Sequence, residues 1–177
     1  ISNFDNISLV ELIVKSGAAD AINERLANSN KSNESISETI ENNIRSVLLK
    51  GQLSDPVFFE KMSNLLGQII KERKSQALEY EVYLSKIEDL AKKVQVGGDE
   101  EIPNKINTPE LRALYNNMDQ DEDKVITLNN ELLKNIPDGW RNVIPREQRV
   151  KQVIFSIVKD ESEVERLFQI IKQQNVY

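Results

Sequence analysis

The chain contains no cysteine and no histidine. Without cysteine there can be no disulfide, no zinc–thiolate site and no thiol nucleophile. Without histidine the commonest general base and the commonest metal ligand are missing. Any chemistry carried by these 177 residues must run on carboxylates, lysines and hydroxyls. Glycine and proline are sparse, at six and five, which disfavours turn-rich β architectures. No apolar run approaches the roughly 20 residues that a membrane-spanning helix needs, and no signal-peptide pattern opens the chain, so the expected compartment is cytoplasmic. An excess of basic charge is lacking too. The 23 basic residues stand against 29 acidic ones, for a net charge of −6. Phosphate contacts supply much of the affinity of a nucleic-acid binder, so this balance disfavours a free-standing DNA-binding role and leaves room only for a local basic face.

What is present suits a folded, well-solvated helical domain: 39% apolar and 29% charged residues. The length fits one domain, or one domain with an appendage. The chain begins at Ile1 rather than at a methionine, as expected of a fragment or a processed form.

Helical periodicity runs through most of the chain. Ser8 and Glu11 have capping-box spacing ahead of Leu9, Leu12 and Ile13, and Gly17 divides this region from Ala18–Leu26. Residues 28–35 read as a polar loop. Ile36, Ile40, Ile44, Val47 and Leu48 then predict a helix that stops at Gly51. Asp55-Pro56 starts the next as an N-cap followed by proline at the first helical position, with Phe59, Met62, Leu65, Leu66, Ile69 and Ile70 facing inward. Lys71–Gln76 is its solvated end and Leu78 lies near the bend. Tyr80, Tyr83, Leu84, Ile87, Leu90, Ala91 and Val94 step by three and four without a break. Residues 95–107 hold Gly97-Gly98, the acidic Asp99–Glu101 and Pro103, and mark a linker. The reading is an N-terminal part over 1–96 that includes the helical hairpin 55–94, a linker over 97–107 and a C-terminal part over 108–177, forming one compact domain or two subdomains. In the latter, Thr108-Pro109 starts a helix carrying Leu111, Leu114 and Tyr115. Another follows over about 122–134 with Val125, Leu128, Leu132 and Leu133 inward. An irregular stretch surrounds Trp140, and helical spacing resumes through Val150, Ile154, Ile157, Val164, Leu167, Phe168 and Ile171. The predicted fold is all-α, an irregular bundle of eight or nine helices.

Four groups of residues invite a chemical reading. Asp119, Asp121 and Asp123 have the spacing of the first ligands of a calcium loop, but Lys124 stands where such a loop needs glycine and Asn130 where it needs glutamate. Acids complementing the positive end of a helix explain them more simply. Glu72 and Lys74 have the E-x-K form of metal-dependent nucleases, yet two residues apart on a helix they do not share a face, so a solvated surface is favoured. Tyr80 and Tyr83 share the spacing of Leu84 and Ile87, which points to the core or its edge. Arg141, Arg146, Arg149 and Lys151 gather about Trp140 with only Glu147 opposing, a pattern able to clamp a phosphate backbone and stack a base. Burial of the tryptophan with the arginines solvating the next helix is the favoured alternative, since large aromatics are mostly inside. This remains the best place in the chain for a phosphate or an acidic partner. No phosphate-binding P-loop and no glycine-rich dinucleotide loop is present.

Four stretches in order carry a resemblance: DPVFFEKMSNLLGQIIKERKSQALEYEVYLSKIEDLAKKV at 55–94, TPELRALYNN at 108–117, DGWR at 138–141 and REQRVKQVIFSIV at 146–158. Together they resemble the C-terminal helical region of the restriction (motor) subunit of type I restriction–modification enzymes. The family often has a Gly-Asn-Pro-like turn after DGWR, where this chain reads Asn142-Val143-Ile144-Pro145. The resemblance implies a parent subunit that is an ATP-dependent DNA translocase and endonuclease of host defence, a type I site-specific deoxyribonuclease using ATP and magnesium. The family's catalytic motifs lie in its nuclease and motor domains, and none occurs here. The resemblance therefore implies a non-catalytic helical docking domain with no catalytic, cofactor or metal residue of its own, whose partners are the methylation and specificity subunits. DNA contact through 141–151 is the alternative.

Overall fold

A computed structural model describes residues 7–26, 30–98 and 101–177. Among them are nine helices and no strand: α1 (Leu9–Ser16), α2 (Ala18–Leu26), α3 (Asn33–Gly51), α4 (Pro56–Lys74), α5 (Tyr80–Val96), α6 (Pro109–Asn117), α7 (Glu122–Asn135), α8 (Ile144–Val158) and α9 (Glu161–Lys172). The all-α prediction is met. None of the described helices is long and apolar enough to cross a membrane.

The local start signals act as the sequence indicates. The Ser8 hydroxyl accepts from the Glu11 amide while the Glu11 carboxylate accepts from the Ser8 amide, both at 3.2 Å, closing the capping box of α1. Gly17, at φ +87°, ends that helix in a conformation that glycine tolerates best. Asp55 caps α4 through the Phe58 amide, and Thr108 caps α6 through that of Leu111, each ahead of a proline that has no amide to satisfy. Helix α3 begins earlier than predicted. Ser32 accepts from the Ser35 amide, so Asn33–Ser35 form its first turn rather than part of a loop. Residues 28 and 29 of that predicted loop, and Asp99 and Glu100 of the acidic triplet, lie outside the described residues.

The chain divides into two units. Unit 1 comprises residues 1–50 and 59–96, and unit 2 comprises residues 51–58 and 97–177. A single cut at the 97–107 linker misses this exchange of segments. Residues 51–58, with the first turn of α4, belong with the C-terminal part. The linker is itself a component of unit 2, since Ile106 is buried in that unit's core.

In unit 1, α5 packs on α1 and α2. Its buried positions Tyr83, Ile87, Leu90, Ala91 and Val94 are those of the predicted stripe, whereas Leu84 is half-buried. Helix α4 buries Met62, Leu66 and Ile69, and leaves Leu65 and Ile70 half-buried. In unit 2, α7 packs on α6 and α8, and α9 on α6 and α8. Trp140 and Phe168 meet edge to face in the core, with centroids 5.7 Å apart. Leu133, predicted inward, is 54% exposed. It lies on the flank of the stripe formed by Val125, Leu128 and Leu132, beyond the reach of the neighbouring helices.

Candidate functional site

The basic segment after α7 is built around a buried ring. Trp140 is 2% exposed, as the core reading expects, and its indole N–H has no hydrogen-bond partner among the described residues. The Arg141 guanidinium lies over that ring, 4.6 Å from the centroid. It donates to three backbone carbonyls at and beyond the end of α9: Lys172 at 3.0 Å, Gln174 at 2.5 Å and Tyr177 at 2.5 Å. Carbonyls at the end of a helix have no partner within the helix, and Arg141 supplies one. Arg146 donates to the Asp138 and Gly139 carbonyls at 2.8 and 3.3 Å, bracing the turn whose Gly139 sits at φ +59°. Lys151 pairs with Glu165 at 2.7 Å and lies 4.7 Å from the centre of the Phe168 ring. Glu147, the single acid of the segment, takes Lys172 at 2.7 Å and the Asn142 amide. These contacts hold its carboxyl below the ordinary range, Lys172 contributing most. Of the four cations singled out from sequence, three are fastened within unit 2, and Arg149 alone points outward among the described residues without a partner.

The E-R-K run at the end of α4 is split between environments. Glu72 pairs with Lys86 of α5 at 2.6 Å and accepts from Gln68, and the Lys86 contact lowers its carboxyl below the usual value. Arg73, read from sequence as solvated, reaches Glu41 of α3 in a two-pronged ion pair at 2.7 and 3.1 Å. Glu41 also accepts from the Tyr83 hydroxyl at 3.1 Å. With a side chain only 5% exposed, Glu41 depends on both donors. Burial, then the adjacent Glu41 carboxylate, pushes the Tyr83 hydroxyl well above its ordinary value. Tyr80 stacks on Tyr83 with centroids 6.2 Å apart. Lys74, Gln76 and the two tyrosines border a cleft of about 240 Å³. A second cleft, of about 220 Å³ between α4 and α5, is lined by Leu65, Ile69, Glu72 and Lys86. Both fall below the about 300 Å³ at which small-molecule sites usually begin.

Asp121 caps α7, accepting from the Lys124 amide at 3.0 Å, which is the helix-terminus role favoured from sequence. Among the described residues no group of three or more acidic side chains is placed to hold a metal ion. Gly97-Gly98 forms a tight turn. Gly97 has φ +78°, and a side chain at Gly98 would collide with Ile102.

Sequence reasoning missed the polar centre of unit 2. Asp55 is recognisable as a cap, but the residue is only 5% exposed, and its carboxylate receives two side-chain donors besides the capped Phe58 amide. Asn116 donates to one oxygen at 2.8 Å, and Asn117 donates to the other at 2.6 Å, beside the Phe58 amide at 3.3 Å. Asn116 also donates to the Gly97 carbonyl, and Asn117 to that of Ala113. Gln174 ties the same segment to the end of α9 by donating to the Ser54 carbonyl at 2.9 Å. Burial raises the Asp55 carboxyl to about 6, against the pull of its hydrogen bonds. The Asn-Asn pair at 116–117 is the one signal that could have pointed here.

Comparison with protein-family models, curated proteins and solved structures finds no match for this chain.

Proposed function

We propose that this chain is a non-catalytic docking domain of the kind found at the C-terminus of the restriction subunit of type I restriction–modification enzymes. Its task would be to hold a DNA-translocating motor on the methyltransferase core. The observation that carries the reading is the ordered set of four stretches at 55–94, 108–117, 138–141 and 146–158. The arrangement of side chains is in keeping with it. The residues of those stretches that could have served chemistry are occupied in holding helices together: Glu72 with Lys86, Arg73 with Glu41, and Arg141 with the carbonyls of 172, 174 and 177. The test is co-purification of this chain with the methylation and specificity subunits of the parent system. Association at micromolar concentration is expected. Absence of association, under conditions where the full-length motor subunit binds, overturns the reading.

Contact with duplex DNA through 141–151 is the second reading, and the outward Arg149 is what favours it. It ranks below docking because Arg141, Arg146 and Lys151 are already engaged. DNA affinity that falls steeply between about 50 and 200 mM salt would promote it. Affinity unchanged by Arg146→Glu and Arg149→Glu would remove it.

A further inference from the structure

Helix α8 has two unlike sides. It buries Val150 and Ile154 completely and packs Val153, Ile157 and Val158 partly against the core of unit 2. On the opposite side Ile144 is 73% exposed and Phe155 46%. Eleven residues are about three helical turns, so the two side chains stand in one line about 16 Å apart. Gln148 and Gln152, both exposed, lie along the same side, with Arg149 beside them and Lys159 at the helix end. Neither the Arg149 nor the Lys159 side chain has a partner among the described residues. No acid interrupts this strip. The single acid of α8, Glu147, is committed to Lys172 and the Asn142 amide.

The neighbouring helices differ. Exposed positions of α9 include Glu161 and Glu165 and no cation, and on α7, beside the exposed Asp123, the exposed Lys124 and Lys134 are paired with Asp121 and Glu131. Unit 2 as a whole holds 11 basic and 16 acidic residues, a net charge of −5. The outward side of α8 is therefore an apolar, cationic strip on an acidic body. Two exposed apolar anchors in line suit a helix laid alongside, whose own apolar residues recur at helical spacing. The cations select acidic flanks on that helix, and the surrounding acids repel one that strays from the strip. DNA fits less well, because two unpaired cations in an acidic unit supply little phosphate affinity and large apolar anchors gain nothing on a phosphate backbone.

We infer that the outward side of α8, from Ile144 to Lys159, is the surface that docks an acidic amphipathic helix of a partner protein. This rests on the docking reading above and names the face responsible. The test is titration calorimetry of the whole chain against the assembled methylation–specificity core. Four forms are compared: the unaltered chain, Ile144→Ser/Phe155→Ser, Arg149→Glu, and Leu133→Ser as an exposed apolar control on α7. The substituted side chains are exposed, and equal melting temperatures confirm that folding is intact. Expected are a loss of affinity of at least about tenfold for the double variant, a weaker and less salt-sensitive interaction for Arg149→Glu, and no change for Leu133→Ser. If the unaltered chain binds and the α8 variants bind equally well, the inference is wrong while the docking reading stands. If the unaltered chain does not bind although the full-length motor subunit does, the docking reading fails and takes the inference with it. Duplex binding lost in Arg149→Glu, with affinity for the protein core retained, also overturns the inference.

Discussion

The two units bury an acid by opposite means. In unit 1, Glu41 meets a cation: Arg73 grips both of its oxygens and Tyr83 adds a neutral donor. In unit 2, Asp55 meets only amides among the described residues, two from asparagine side chains and one from the first turn of α4. Of the charged groups on the helices around it, Arg166 comes to the cluster, but it donates to the Asn117 carbonyl and pairs with Glu163. A buried ion pair is held by its partner and fails when the partner is removed. A buried carboxylate without a counter-charge can take a proton instead. Unit 1 should thus be sensitive to substitution where unit 2 is sensitive to pH.

The largest effect is expected from Arg73→Met, which leaves the Glu41 charge buried and unpaired. Unit 1 should lose about 3–5 kcal/mol, read as an earlier transition in denaturant, and adding Glu41→Gln should recover much of it. A cost below about 1 kcal/mol would show that the pair is solvated and erase the contrast.

Next comes pH. The folded-state pKa of Asp55 is about 6 against an ordinary 3.8, so the folded chain binds the proton more tightly than the unfolded one. The resulting stabilisation is complete below the ordinary value and is lost as pH rises through about 6. Its ceiling is about 3 kcal/mol. The stability of the parent chain minus that of Asp55→Asn should fall by up to that amount between these pH values. A carboxyl carbon of Asp55 that titrates near the ordinary 3.8 by NMR would mean that the three donors fully offset burial.

Tyr83→Phe removes one neutral hydrogen bond to Glu41 while Arg73 stays, and should cost about 1 kcal/mol. If it costs as much as Arg73→Met, the tyrosine rather than the cation is what Glu41 needs. The smallest change treats both units alike. Gln76, after α4, and Lys159, after α8, end their helices at φ +56° and +55°, a conformation that burdens residues with a side chain. Replacement of either by glycine should raise the melting temperature of its own unit slightly, by the equivalent of about 1 kcal/mol.

What the sequence disclosed of this molecule was short-range. Ser8 with Glu11, Asp55 with Pro56 and Thr108 with Pro109 announce helix starts because cap and capped amide lie within three residues. Trp140 could be assigned to the core from its size alone. The partners of polar groups were hidden because they lie far along the chain. Arg73 finds Glu41 32 residues away, and Asn117 finds Asp55 62 away. Arg141 stood as a candidate phosphate or partner contact because nothing local showed that carbonyls 31 to 36 residues later would take its donors. Arg149 and the apolar pair Ile144 and Phe155 were written plainly in the sequence, but only their exposure tells them from the core residues between them.

The assignment of residues 51–58 to unit 2 bears on how the protein is made. Eight residues of that unit leave the ribosome before residues 59–96 of unit 1 do. They must stay unfinished until Gln174 arrives, since it reaches Ser54 across 120 positions. Closing so long a loop costs little more free energy than closing one half as long, but the search is slower. Unit 2 is therefore completed last, and the segment that waits for it is the one carrying Asp55.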